Sequence, residues 1–355
     1  MRPHYLSTIV LILGLLAAGC NTSKPAAENK LPVRVVVVTT WQQGSPTDGI
    51  GELTAWAKET PVTYSFPAGQ GQQDLRYDPK RQMLVICTGM GTNRAANSIA
   101  ALGYDPRFDL TQAYWVVAAI GGVNPNQSSL GSAGWISQVV DTDFGYAIDP
   151  RQIPKEWTTG YIPWGRTTPF EQPVPDTDSN LFPTNDGLTN WAFDITKSIA
   201  LPDNPDLQQA RSPYTDFPRA LEPPKVVLGD EATGQTFWVG SLWNGLAEQW
   251  VSYWTSGKGT FIMTAMEDSG ILRALSSLSK AGKVAANRTL VLRTASNYSV
   301  EAPGQTPAQL RAADVNGFAA AGLHSSLNSA YTVASAAIDK LIAGWDRFRD
   351  HPPGS

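Results

Sequence analysis

Apolar residues along this chain gather into short runs separated by glycine turns, with helical spacing between them. Residues 33–39 (VRVVVVT) form a nearly continuous β-branched run, the pattern of a strand buried on both faces of a sheet. Residues 83–88 (MLVICT) form a second run. It leads through Gly89-Met90-Gly91 into 93–102 (NRAANSIAAL), where Ala96, Ile99 and Ala100 have helical spacing. A third run, 114–120, ends in Gly121-Gly122, and a fourth covers 135–140. Shorter runs follow at 225–228, 236–239, 260–264 and 289–294, with helical patterns at 242–256, 267–281 and 326–345. Strands alternating with helices predict one large α/β domain over residues 32–349, its mostly parallel or mixed central sheet flanked by helices. Residues 150–224 break the rhythm, holding 13 of the 26 prolines around one helical segment at 188–199. Proline removes a donor and disrupts helix interiors, so this stretch reads as an irregular insertion.

Ahead of the domain, Arg2 gives a positive start and residues 6–19 (LSTIVLILGLLAAG) are apolar. A run of that length suits a signal-peptide core and falls short of the roughly 20 residues that span a bilayer. Ala17, Ala18 and Gly19 before Cys20 resemble a bacterial lipobox, with its usual leucine one position early at Leu16. That resemblance implies a signal peptide over 1–19, lipid on Cys20 and a polar tether to residue 31. An ordinary cleaved signal with an incidental cysteine is the alternative. The expectation is an exported bacterial lipoprotein, anchored to a membrane and facing the periplasm or the cell surface. Beyond the leader, the longest near-apolar stretch is 113–123, too short to cross a membrane as a helix. Cys87 then has no intrachain partner for a disulfide, and its apolar surroundings make it a core residue.

Composition narrows the function. The 355 residues carry 31 acidic and 27 basic side chains, a net charge of −4 with no basic block, which argues against a nucleic-acid partner. Three histidines leave little material for a metal site, and none is expected. Twelve tryptophans and 42% apolar residues exclude a disordered chain.

In open α/β sheets ligands sit beyond the carboxyl ends of strands, and four such ends stand out. Gly89-Met90-Gly91 offers backbone N–H groups near a helix start, suited to an anion or a sugar hydroxyl, or is simply a tight turn. Gly121-Gly122 lets a ligand approach the backbone closely, or is again simply a turn. Met266-Glu267-Asp268 opens a helix, where acidic residues also belong for dipole reasons alone. Residues 293–297 (RTASN) place Ser296 and Asn297 at a strand end, where an asparagine amide can pair with a nucleobase edge, although both are also common turn formers.

Taken in order, these segments are similar to the purine nucleoside permease (NUP) family. The carrying motifs are TGMG at 88–91, AAIGGVNP at 118–125, LGSAGWISQVVDTDFGYAIDPR at 130–151, GDEATGQTFWVG at 229–240, TAMED at 264–268 and VLRTASNYS at 291–299. The resemblance covers about residues 32–345 and implies a nucleoside phosphorylase-like fold. It implies that Met266 stacks on a sugar whose hydroxyls Glu267 accepts, and that Asn297, beside Ser296, reads a purine edge. Gly89, Met90 and Gly91 would line the sugar or an anion, and Gly121 and Gly122 would floor the base.

Two departures from the phosphorylase pattern matter. Ala118 and Ala119 stand where an arginine for phosphate is expected, leaving Arg94 as the remaining cation candidate. The first loop lacks the expected short acidic pattern, leaving Asp48 or Glu52 as candidates for a water-activating base. The first functional expectation is purine nucleoside recognition linked to uptake at the cell envelope, by a protein that is not itself a membrane-spanning channel. The second is an enzyme breaking the N-glycosidic bond, with Glu267 and Asn297 catalytic and water rather than phosphate as acceptor. The third is a carbohydrate- or protein-binding surface lipoprotein. No cofactor is expected beyond inorganic phosphate in the phosphorylase case, and homo-oligomers are left open.

Overall fold

The structure, a computed structural model, describes residues 30–67, 70–171, 180–316 and 321–354. The signal peptide, Cys20 and the tether up to residue 29 lie outside the described residues. The strands of the main sheet are β1 Val35–Thr39, β2 Val62–Tyr64, β3 Leu75–Asp78, β4 Met83–Cys87, β5 Tyr114–Val123, β6 Ala133–Asp141, β7 Leu181–Pro183, β8 Val226–Thr233, β9 Phe261–Ala265 and β10 Thr289–Tyr298. The helices are α1 Leu53–Glu59, α2 Thr92–Gly103, α3 Asp186–Thr196, α4 Pro205–Arg211, α5 Ser241–Trp254, α6 Asp268–Lys280, α7 Pro307–Asn316 and α8 Ala321–Ala343.

The β-branched run at β1 explains the layering. Val36 and Val38 enter a core shared with Ile99 of α2 and Leu275 of α6. Val35 and Val37 enter a second core with Trp56 of α1, Leu188 of α3 and Val333 of α8. Side chains alternate across a strand, so covering both faces requires apolar residues at consecutive positions. Each fully buried valine contributes roughly 1.5–3 kcal/mol relative to exposure.

The strand order is β7-β6-β8-β9-β5-β1-β4-β3-β2, and β10 pairs with both β5 and β6. β10 runs parallel to β5 and antiparallel to β6, so β6, β8, β9, β5 and β10 close a five-stranded ring. The α/β class with a mixed central sheet and flanking helices is therefore what the sequence pattern predicts. The closure is not, because it depends on one strand using both of its edges.

Three local expectations are corrected. β8 runs through Gly229, Asp230 and Glu231, where the polar residues read as the end of a strand, because both acids are buried. Residues 236–239 have strand-like composition but form no strand; Trp238 packs against Trp243 and Phe261 instead. The proline-rich insertion is only partly irregular. It supplies α4, the edge strand β7 and α3, whose Leu188 and Ala192 enter the second core.

Candidate functional site

Four chain segments meet beside the ring. The first is the loop after β1, where Glu52 precedes α1. Its Oε2 accepts from the N–H groups of Thr40 at 2.5 Å and Trp41 at 3.1 Å, and from the Thr40 hydroxyl at 3.1 Å. Its Oε1 accepts from Ile120 N–H at 2.9 Å. Burial pushes the Glu52 carboxyl up to about 7, against Arg293 and the backbone N–H groups, which pull it down. Asp48, the other candidate base, is exposed and accepts from the Thr47 hydroxyl at 3.0 Å.

The second segment is Gly121-Gly122 on β5. A Cβ on Gly121 would stand 2.3 Å from the Thr264 carbonyl oxygen, and one on Gly122 would stand 2.6 Å from Thr264 Oγ1 and 3.2 Å from Asn297 Nδ2. A side chain at either position would force Thr264 or the approach of β5 to β9 to shift. The facing register shifts between Ala295 and Asn297, making Ser296 the extra residue of a β-bulge. The Ser296 hydroxyl reaches the Gly121 carbonyl at 3.0 Å and Asn297 Oδ1 at 2.9 Å.

Third comes the Met266-Glu267-Asp268 turn into α6. Glu267 is buried, and its Oε1 accepts from Gly91 N–H at 2.9 Å while Oε2 accepts from Met266 N–H at 3.2 Å. Gly91, at φ +97°, sits where a Cβ would stand 2.3 Å from Gln235 Nε2. Burial raises the Glu267 carboxyl, and Arg293 partly offsets this.

The fourth is Arg293 on β10, which sequence reasoning did not assign to the site. It is buried, donates to both Asp268 oxygens at 2.7 and 2.8 Å and to the Ile120 carbonyl at 2.9 Å, and lies 3.0 Å from Glu267 Oε2. The Ile120 backbone thus donates to Glu52 through its N–H and accepts from Arg293 through its carbonyl. An arginine isolated in an otherwise apolar strand run is the signal that marks it, since such a side chain is almost never fully buried unless paired. Arg94, the expected cation, is exposed beside Gly89.

A cavity of about 970 Å³ opens over these groups. Glu52, Met90, Gly121, Gly122, Met266, Glu267, Ser296 and Asn297 line it, whereas Gly89 and Gly91 do not. Among the described residues, the lining includes one cation, Arg311, which stacks on Phe237. The lone-pair count at Glu267 is informative. Four acceptor positions less three occupied leaves one, on Oε1, for a ligand hydroxyl.

Among the described residues, no three His, Cys, Asp or Glu side chains form a group that could hold a metal ion, and no helix is long and apolar enough to cross a membrane.

Comparison with known proteins places this geometry in context. The model of the purine nucleoside permease (NUP) family matches residues 32–353. The protein described as a probable purine nucleoside permease in Schizosaccharomyces pombe is 30% identical over 274 residues, covering 75% of this chain and 74% of that one. The purine nucleoside permease of Candida albicans is 27% identical over 266 residues, 74% of this chain and 64% of its own. These relatives are fungal, so the family is not confined to bacteria. The 5′-methylthioadenosine/S-adenosylhomocysteine nucleosidase of S. pneumoniae, solved with a transition-state inhibitor, shares the fold at a TM-score of 0.52 and 13% identity. That match covers 87% of this chain and all of the other.

Proposed function

Because this chain belongs to the purine nucleoside permease family, we propose that its cavity binds a purine nucleoside and that this binding serves nucleoside transport. The carrying observation is Glu267: a buried carboxylate at the cavity wall, held by two backbone N–H groups and Arg293, with one lone pair free. A fixed, dehydrated acceptor gives a sugar hydroxyl a strong charge-assisted hydrogen bond. Met266 supplies an apolar surface beside it. The backbone at Gly121-Gly122 and the Asn297 amide give a purine a flat floor and a donor–acceptor edge. As an exported lipoprotein anchored through Cys20, the protein would hold a nucleoside at the membrane surface.

A second reading, N-glycosidic hydrolysis in the same cavity, is favoured by Glu52. A buried carboxyl that titrates near 7, with an oxygen at the cavity wall, suits a general base that takes a proton from water. Water would attack the sugar's anomeric carbon as the bond to the base nitrogen breaks, and the base would leave with a proton from solvent. Asn297 can hydrogen-bond that base but has no acidic proton to give. With Arg311 the one lining cation among the described residues, phosphate is the poorer acceptor.

The test is titration calorimetry with inosine and guanosine, followed by incubation with inosine with and without phosphate while hypoxanthine is assayed. Heat without base release supports the binder. Release independent of phosphate supports the hydrolase, and no heat with any purine nucleoside overturns both.

A further inference from the structure

Glu231 lies inside β8, with Val139 of β6 and Met263 of β9 as its neighbours in register. Ala232 beside it packs with Trp250 and Trp254, so alternation turns Glu231 to the opposite face. The side chain is fully buried, and neither carboxyl oxygen receives a hydrogen bond. Arg293 Nε stands 3.9 Å away, although β8 and β10 are not paired with each other, so this approach crosses the inside of the ring.

The charged groups facing Glu231 are Asp268, Arg293 and Glu267. Three carboxyls therefore surround one guanidinium. Asp268 occupies the bidentate edge of the fork, Glu267 takes a further Nη2 hydrogen, and Nη1 goes to the Ile120 carbonyl. The fifth guanidinium hydrogen is on Nη1, whereas the nitrogen that approaches Glu231 is Nε, whose single hydrogen goes to Asp268. No donor therefore reaches Glu231, and a buried anion without donors is not tolerated. A protonated carboxyl removes the conflict, because its O–H supplies the donor that two facing carboxylates lack. Asp268 is the acceptor within its reach. Burial and the neighbouring Asp268 hold the Glu231 proton well above the ordinary carboxylate range, in the same sense as the geometry.

We propose that Glu231 is a positioning residue: a neutral acid that donates its O–H to Asp268 and so fixes the Arg293 fork that holds Glu267 at the cavity wall. The proposal rests on the reading that Glu267 binds a nucleoside.

The experiment compares the full chain with Glu231→Gln and Glu231→Leu, each titrated with inosine from pH 6 to 9 and unfolded in urea over the same range. Glutamine keeps a neutral donor, so its affinity should stay within about threefold of the parent with the same pH midpoint, because the hydrogen bond to a charged group is retained. Leucine fits between Val139 and Met263 but leaves Asp268 without that donor, and affinity should fall about tenfold. Weaker binding or a shifted midpoint in Glu231→Gln would show a working carboxylate and overturn the proposal. So would parental affinity in Glu231→Leu. Should the leucine variant fail to fold, the glutamine variant decides alone. Should the parent bind no nucleoside, the functional reading fails, and the urea profiles still decide whether Glu231 is neutral.

Discussion

Arg293→Met is the substitution that tests the site's electrostatics most directly. It removes the guanidinium from two bonds to Asp268, one to the Ile120 carbonyl and an ion pair with Glu267. Removing one member of a buried pair costs about 3–5 kcal/mol, chiefly because the other charge is left uncompensated. Arg293 faces more than one carboxylate, so the upper end of that range is expected. If stranded charge is the cause, adding Asp268→Asn should return on the order of 2 kcal/mol rather than cost more. Urea unfolding of both single variants and the double variant at pH 7, followed by tryptophan fluorescence, measures this. Additive losses would refute the reasoning. A ligand readout adds a second check. Arg293 lowers the Glu267 carboxyl against burial, so its removal leaves Glu267 protonated to higher pH. Inosine affinity of Arg293→Met should therefore be low at pH 7 and recover toward pH 9. A flat profile would show that Glu267 does not need to be ionised.

Glu267→Gln should weaken inosine binding by about 10–100-fold, the value of a hydrogen bond to a charged group. With 2′,3′-dideoxyinosine the variant and the parent should bind alike, and calorimetry separates the two ligands. Gly122→Ala puts a methyl 2.6 Å from Thr264 Oγ1 and should cost about 1–3 kcal/mol of stability as well as affinity. Gly245→Ala in α5, where a Cβ meets nothing within 4 Å, is its control and should stabilise by about 1 kcal/mol without touching affinity. Glu52 ionises near 7 when folded and near 4.5 when free, so between those values the folded state holds a proton that the unfolded state lacks. Stability from this group is complete below the lower value and is lost as pH rises through the upper one, about 3 kcal/mol in all. Urea unfolding at pH 5 and pH 8 should show a difference that is larger in the parent than in Glu52→Gln by about that amount, the remainder coming from the other raised carboxyls. Under the hydrolytic reading, Asn297→Asp supplies the missing acid, so base release from inosine should rise below neutral pH. An unchanged rate would argue against leaving-group protonation at that position.

The sheet was legible because burial on both faces demands consecutive apolar residues, and β1, β4 and β5 satisfy that demand without interruption. The glycine turns were legible for a related reason. A Cβ on Gly91 or Gly122 would stand 2.3 or 2.6 Å from its nearest neighbour, so their residue type records the approach. β8 was cut short because Asp230 and Glu231 interrupt its hydrophobic pattern. A linear pattern treats a charge as solvent-facing, whereas here each acid is answered, or left unanswered, by groups far along the chain.

The same limit hid Arg293. Its partners Ile120 and Asp268 are 173 and 25 residues away, and they meet only because β10 uses one edge for β5 and the other for β6. Glu52 was visible as an acid in the first loop, but its elevated proton affinity comes from burial, which outweighs Arg293 and the Thr40 and Ile120 N–H groups that lower it. Motif reading finds residues whose type is constrained by backbone geometry. Residues constrained by charge balance appear only once the ring is closed, and in this chain those are the groups that set the protonation of the cavity wall.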